Sequence, residues 1–237
     1  MRLRTIFLAF YCAAVVLYLT PVLLVFMVFG LRDPLLAVVK RFLRFAPGLL
    51  GLKVDIRGLD VIDRTKSYVF MSNHLSFIDG PLLFLLIPQL VRVILKKEVF
   101  RIPIVGLGMR YMGFIPVDRK GVNSGRVSVE YAARLMKKRR YSFLIFPEGT
   151  RSLDGNLQRF RRGGFFLALA AGVAVAPIAI RGTRELMPKG SPFAKPGQVR
   201  VTFCRPLAVD GYGPEELSAL MERTRATILD AVKKEGS

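Results

Sequence analysis

His74 is the one histidine in a chain of 237 residues. It stands in Ser72-Asn73-His74-Leu75-Ser76-Phe77-Ile78-Asp79, directly after the apolar run Tyr68-Val69-Phe70-Met71. An imidazole that titrates near neutral pH can take the proton of an attacking hydroxyl. A carboxylate nearby can fix its tautomer and stabilise the imidazolium that forms. His74 and Asp79 are five positions apart, which keeps them off a shared helix face of the i, i+4 kind. A strand-to-helix turn would bring them together. The same residues would also suit a solvated loop histidine followed by an aspartate helix cap. A lone histidine excludes zinc sites built on two or more histidines. Cys12 and Cys204 lie far apart, with neither metal-ligand spacing nor a disulfide framework. They read as apolar thiols in a reducing compartment.

Three further blocks carry chemistry. In Gly113-Phe114-Ile115-Pro116-Val117-Asp118-Arg119, Arg119 closes a strand and can fork onto a phosphate or pair with Asp118. In Phe146-Pro147-Glu148-Gly149-Thr150-Arg151-Ser152, Gly149 permits a tight turn and close backbone approach. Thr150, Arg151 and Ser152 offer donors to phosphate oxygens. Glu148 is an acceptor, for a substrate hydroxyl or for Arg151. In Val175-Ala176-Pro177-Ile178-Ala179-Ile180-Arg181, a proline within a β-rich run marks an edge or an interruption and would shape a pocket wall.

These blocks need a scaffold. Strands are expected over 54–59, 67–73, 92–96, 113–118, 141–146, 173–181 and 198–205, several of them near-continuous apolar runs buried on both faces. Helices are expected over 124–139, with Val127, Tyr131 and Leu135 on one stripe, and over 214–235, with Leu217, Met221, Thr224, Ile228 and Val232 on another. The alternation predicts an α/β fold with a mostly parallel central sheet flanked by helices. Neither an internal repeat nor a low-complexity segment is seen.

Residues 5–31 contain no charge. As one helix this run would reach about 40 Å, against a hydrocarbon core of about 30 Å. Pro21 should kink or split it, leaving either one tilted span or two shorter helices in a one-leaflet anchor. A cleaved signal peptide is disfavoured by the length of the run and by the lack of a small-residue cleavage site. Arg2 and Arg4 precede it and Arg32, Lys40, Arg41 and Arg44 follow, so charge asymmetry does not orient it. The expected division is a membrane anchor over 1–50 and a catalytic domain over 51–237, its motif-bearing core at about 68–184.

The chain carries 37 Lys and Arg against 17 Asp and Glu, a net charge of +20, yet 52% of it is hydrophobic. A basic, apolar chain suits an anionic lipid surface better than nucleic acid. Helix-turn-helix, zinc-finger and aromatic-basic RNA signatures are missing. Lys137-Lys138-Arg139-Arg140 and Arg159, Arg161 and Arg162 would be a solvated face, or would dock anionic headgroups or an acidic acyl carrier.

Taken together, the four blocks resemble the PlsC-like family of lysophospholipid and glycerol-phosphate acyltransferases, in order and spacing, over residues 70–182. The resemblance implies that His74 acts as general base and Asp79 orients it. It implies that Arg119 and Arg151 hold an acceptor phosphate, that Glu148, Gly149 and Thr150 shape the site, and that Lys97 is a further phosphate-binding candidate. The implied reaction moves an acyl group from acyl-CoA or acyl carrier protein to the sn-2 hydroxyl of lysophosphatidic acid, giving phosphatidic acid for phospholipid synthesis. Glycerol 3-phosphate, a lyso-ornithine lipid or another lysolipid is the alternative acceptor. A non-catalytic basic membrane adaptor is the rival outside enzymes. Neither metal nor cofactor is implied. The implied location is the cytoplasmic face of a membrane, the inner membrane in a bacterium.

Overall fold

The computed structural model describes residues 2–117 and 122–233. All seven expected strands form, within two or three residues of their expected ends: β1 (Leu52–Arg57), β2 (Val69–Ser72), β3 (Val91–Lys96), β4 (Ile115–Val117), β5 (Ser142–Ile145), β6 (Val175–Arg181) and β7 (Gly197–Phe203). They build one sheet in the order β1-β7-β6-β2-β5-β3-β4. The five strands from β6 to β4 are parallel, as are β1 and β7; the two groups meet in the antiparallel pair β6–β7. The sheet is thus mostly parallel, and the C-terminal ends of β6, β2, β5, β3 and β4 share one edge.

Alternation along the central strands sends side chains into two cores. Phe70, Leu144, Val93, Ala176, Ile178 and Ile180 point to one face. There they meet α2 (Arg32–Leu43) and α4 (Asp79–Leu86). Val69, Met71, Phe143, Val175 and Ala179 point to the other, which is covered by α6 (Val122–Arg139), α7 (Gly163–Ala171) and α9 (Leu217–Lys233). Burial on both faces explains why these strands read as unbroken apolar runs.

Two stripes fare differently. In α9 the buried residues are Leu217, Leu220, Thr224 and Ile228, close to the expected set. In α6 the expected stripe holds only in part: Leu135 packs against the core, but Val127 and Tyr131 are exposed, and Ala132, Ala133 and Met136 are buried. The reason is the neighbour. α6 packs on α7, which opens with Gly163 and Gly164, and small residues let the two backbones approach.

Pro177 marks an interruption and not an edge. It lies inside β6, between β2 and β7, and not on an edge strand. The exception is local. Val175 bridges to Leu207 and Ile178 pairs with Phe203, so three steps on one strand oppose four on the other. That bulge falls where proline offers no N–H, and the Pro177 carbonyl still accepts from the Cys204 N–H at 2.9 Å.

The uncharged N-terminal run forms one helix, α1 (Arg2–Val28), which continues through Pro21 instead of splitting there. Thr20 Oγ1 donates to the Val16 carbonyl at 2.8 Å. The helix packs on α2, on α3 (Ala46–Leu50) and on α5 (Val105–Tyr111). Contacts run along its length. Thr5 Oγ1 accepts from the Ala194 N–H at 3.1 Å, and Tyr11 Oη donates to the Phe42 carbonyl at 2.8 Å. Leu23 lies against Gly108, and Tyr111 Oη donates to the Phe26 carbonyl at 2.5 Å. Leu19 and Leu23 are buried on this docked side. Positions 3, 7, 10, 14, 17, 21, 24 and 28 form a continuous exposed stripe opposite, and every one is apolar.

Candidate active site

β2 ends at Ser72 and α4 begins at Asp79. The turn between them carries His74 onto the shared strand-end edge, where ligands of open α/β sheets bind. The turn is braced on both sides. Asn73 is buried, and its amide makes a reciprocal pair with Ile180 at the end of β6: Nδ2 donates to the carbonyl at 2.9 Å and Oδ1 accepts from the N–H at 2.8 Å. Ser76 Oγ donates to the Met187 carbonyl at 2.7 Å.

Asp79 does not act as a helix cap. Its side chain turns back, and Oδ2 accepts from His74 Nδ1 at 2.9 Å, from the Leu75 N–H at 2.6 Å and from the Ser76 N–H at 2.7 Å. Asp79 is fully buried, while the His74 side chain is 18% exposed. Three donors thus meet on this one carboxylate oxygen. With the Nδ1 proton held there, the lone pair is on Nε2. The ring is also stacked on Phe146, with centroids 4.0 Å apart and planes 20° apart. Those contacts fix the imidazole in plane and in tautomer, which is what a general base requires.

The loop after β5 is zipped to the same turn. The His74 N–H donates to Glu148 Oε1 at 2.7 Å, and the His74 carbonyl accepts from the Ser152 N–H at 2.8 Å. Glu148 Oε2 accepts from the Gln158 N–H at 3.0 Å. The Glu148 carboxylate is therefore turned inward onto backbone and does not reach Arg151 or an open surface. Burial raises its pKa above the ordinary value, against the opposing pull of the two backbone donors. Gly149 takes φ +72°, a conformation that favours glycine, and a Cβ there would stand 2.6 Å from Nε of the flexible Arg161 side chain, which would have to move aside.

Thr150 and Arg151 follow on the rim. Lys189 Nζ donates to Thr150 Oγ1 and to the Arg151 carbonyl, each at 3.3 Å. The Arg151 guanidinium lies over the exposed Phe77 ring, 5.7 Å from its centroid. Lys97 is exposed in the turn that leaves the end of β3, on the same edge but two strands from β2. Arg119 and Asp118 lie outside the described residues.

The structure thus gathers His74, Asp79, Glu148, Gly149, Thr150 and Arg151 at one place. Sequence reasoning missed the Phe146 platform, the Asn73–Ile180 clamp and Lys189 on the rim, and read Arg161, which lies against Gly149, only as part of a basic cluster. Phe146 and Asn73 stand inside the motif blocks, but their partners are set only by folding.

The acyltransferase family model matches residues 53–181. A chloroplastic 1-acyl-sn-glycerol-3-phosphate acyltransferase of Brassica napus is 39% identical over 157 residues, which cover 65% of this chain and 45% of that protein. The chain therefore spans less than half the length of that relative. The mouse 1-acyl-sn-glycerol-3-phosphate acyltransferase alpha is 29% identical over 193 residues, covering 81% of this chain and 68% of that one. The crystal structure of the 1-acyl-sn-glycerophosphate acyltransferase PlsC of Thermotoga maritima superposes with a TM-score of 0.81 at 26% identity, over 99% of this chain and 98% of that one. With more than half the chain matched by the family model and nearly all of it sharing that fold, the protein belongs to the acyltransferase family.

Proposed function

We propose that the protein is an O-acyltransferase that acylates the sn-2 hydroxyl of lysophosphatidic acid from an acyl thioester, yielding phosphatidic acid. The observation that carries the chemistry is the His74 Nδ1–Asp79 Oδ2 bond of 2.9 Å on a strand-end turn; the acceptor follows from what the relatives are named for. His74 Nε2 takes the hydroxyl proton as the acceptor oxygen attacks the thioester carbonyl. The C–O bond forms, the C–S bond breaks, and the sulfur takes the proton back from His74 and leaves as the free thiol. Asp79 keeps the tautomer and balances the imidazolium. A thioester is already an activated leaving group, so the proposal assigns no metal or cofactor.

In this reading Arg151 and Arg119 hold the acceptor phosphate with Lys97, while Gly149 and Thr150 shape the rim. Acyl-CoA and acyl carrier protein are both admitted as donors. The proposal places the enzyme on the cytoplasmic face of a membrane. A helix apolar on every side belongs in protein or in lipid, and among the described residues none covers the open stripe of α1. Because α1 is docked from Thr5 to Phe26, a full crossing would drag the catalytic domain into hydrocarbon. We therefore place it flat in one leaflet.

Acyl transfer measured across a panel of acceptors with both thioesters tests the reading. His74→Ala is expected to lower turnover by about 10³-fold or more with folding and membrane binding intact; near-normal turnover would reject the base. Arg151→Ala is expected mainly to raise the KM for the phosphorylated acceptor, and an unchanged KM would reject its phosphate role.

A further inference from the structure

At the opposite edge of the sheet, where β3 and β5 begin, the molecule has a second cleft of about 450 Å³. Its wall carries five cations: Lys40 from α2, Arg64 and Lys66 from the loop before β2, and Arg139 and Arg140 from the end of α6. None of its lining residues is acidic. Asp63 stands beside it, bonded to Thr65 at 2.7 Å and 3.8 Å from Lys66. Pro88 and Leu90 form an apolar shelf beside the buried Leu36.

The cleft is built, not a chance gathering of surface charge. Gln89 braces its floor: Nε2 donates to the Asp63 and Lys66 carbonyls at 2.9 and 2.7 Å, and Oε1 accepts from Ser142 Oγ at 3.0 Å. Lys40 Nζ donates to the Ile87 and Gln89 carbonyls at 2.8 and 3.2 Å and lies over the Phe84 ring. Arg140 adopts φ 55°, a left-handed position just past a helix that glycine or asparagine takes most easily. An arginine is kept there, its guanidinium bonded to the Thr65 carbonyl at 2.9 Å. Attraction to the C-terminal end of α6 would account for Arg139 and Arg140. It does not account for Lys40, Arg64 and Lys66, which come from two other segments.

We propose that this cleft is a second anion site, separate from the His74 centre, that takes a phosphate group carried on a glycerolipid headgroup or free in solution. Five cations converge on one concavity. The apolar shelf beside them, and α2 following the apolar α1, fit a headgroup with its glycerol stem.

The test uses the purified full chain in neutral detergent and reads the melting midpoint, so it needs no turnover. The probes are short-chain phosphatidylglycerol, phosphatidylcholine as the zwitterionic control, and inorganic phosphate. Phosphatidylglycerol is expected to raise the midpoint. Lys40→Gln/Arg64→Gln/Arg140→Gly should weaken that response about tenfold or more, and the equal-charge control Arg126→Gln/Arg205→Gln/Arg223→Gln should keep it. Saturation by inorganic phosphate, lost in the same variant, would also support the site and identify a free phosphate as its ligand. Equal loss in both variants, or no shift with either anion, would overturn it. Arg140→Gly alone should raise the unliganded midpoint while weakening the anion response; a lower midpoint with an intact response would mean that Arg140 is only structural and would count against the site.

Discussion

Both oxygens of Glu148 accept from backbone N–H groups, those of His74 and Gln158, so this residue acts on the site through the histidine it holds. Glu148→Gln keeps the shape but offers one carbonyl oxygen and one NH₂, and the NH₂ would face an N–H donor. On the proposed mechanism kcat should fall by about 10²-fold, the cost of a small misplacement of a catalytic group, while the KM for the acceptor changes little. A larger effect on KM than on kcat would return Glu148 to direct substrate contact. At this scale the sequence was informative about residue types and less so about partners. The His74–Asp79 pair was readable because both members sit in one short segment. The glutamate's inward turn was not, because its acceptors meet the His74 turn only once β2 and β5 lie side by side.

Elements were legible wherever burial on both faces wrote a simple pattern. All seven strands follow apolar runs, and α9 follows its stripe. α6 followed its stripe only at Leu135, because its neighbour favoured small residues at Ala132 and Ala133, and Pro177 marked an interruption of the ladder, a bulge that absorbs its missing donor. α2 carries a consequence of burial that is open to measurement. Lys40 has its pKa lowered from 10.5 to about 8, first by burial and then by the charge of Arg92. The other charges around it are Arg64, Lys66, Arg139 and Arg140 in the cleft wall, with Asp63 beside them and Asp33 on Arg92. A lysine whose folded pKa lies below its unfolded one costs stability while protonated. That cost is full below pH 8 and is relieved as pH rises from 8 toward 10.5. Wild type should therefore gain on Lys40→Met by about 2 kcal/mol between pH 7 and pH 10, read by chemical denaturation at both. A constant difference would mean that Lys40 titrates as an ordinary surface lysine.

For the whole molecule, charge and hydropathy pointed to a lipid surface, but how α1 sits was beyond them. An uncharged run has the same composition whether it crosses a bilayer or lies along a domain; the difference is in contacts to residues 31 to 189 positions away. If α1 lies flat as proposed, trypsin added to one side of sealed vesicles should cut both at Arg2 or Arg4 and in the exposed Arg159–Arg162 segment. Cleavage of the two from opposite sides would establish a full span instead.

The docking of α1 also orders events during synthesis. Thr5 bonds to Ala194, 189 residues later, and β1 pairs with β7 in register from Leu52 with Gly197 to Arg57 with Thr202. The contact at Thr5 thus waits for Ala194 and β7, although α2, α3 and α5 are made earlier and can already pack on α1. At about 5–20 residues per second the delay is on the order of ten seconds or more. Through that interval the Thr5 end of α1 lacks its partner, and the outer apolar stripe is exposed. A bilayer that receives α1 early would shield it from aggregation and hold the growing chain beside the surface where the finished domain will rest, so that the anchor acts as a folding aid before it is an anchor.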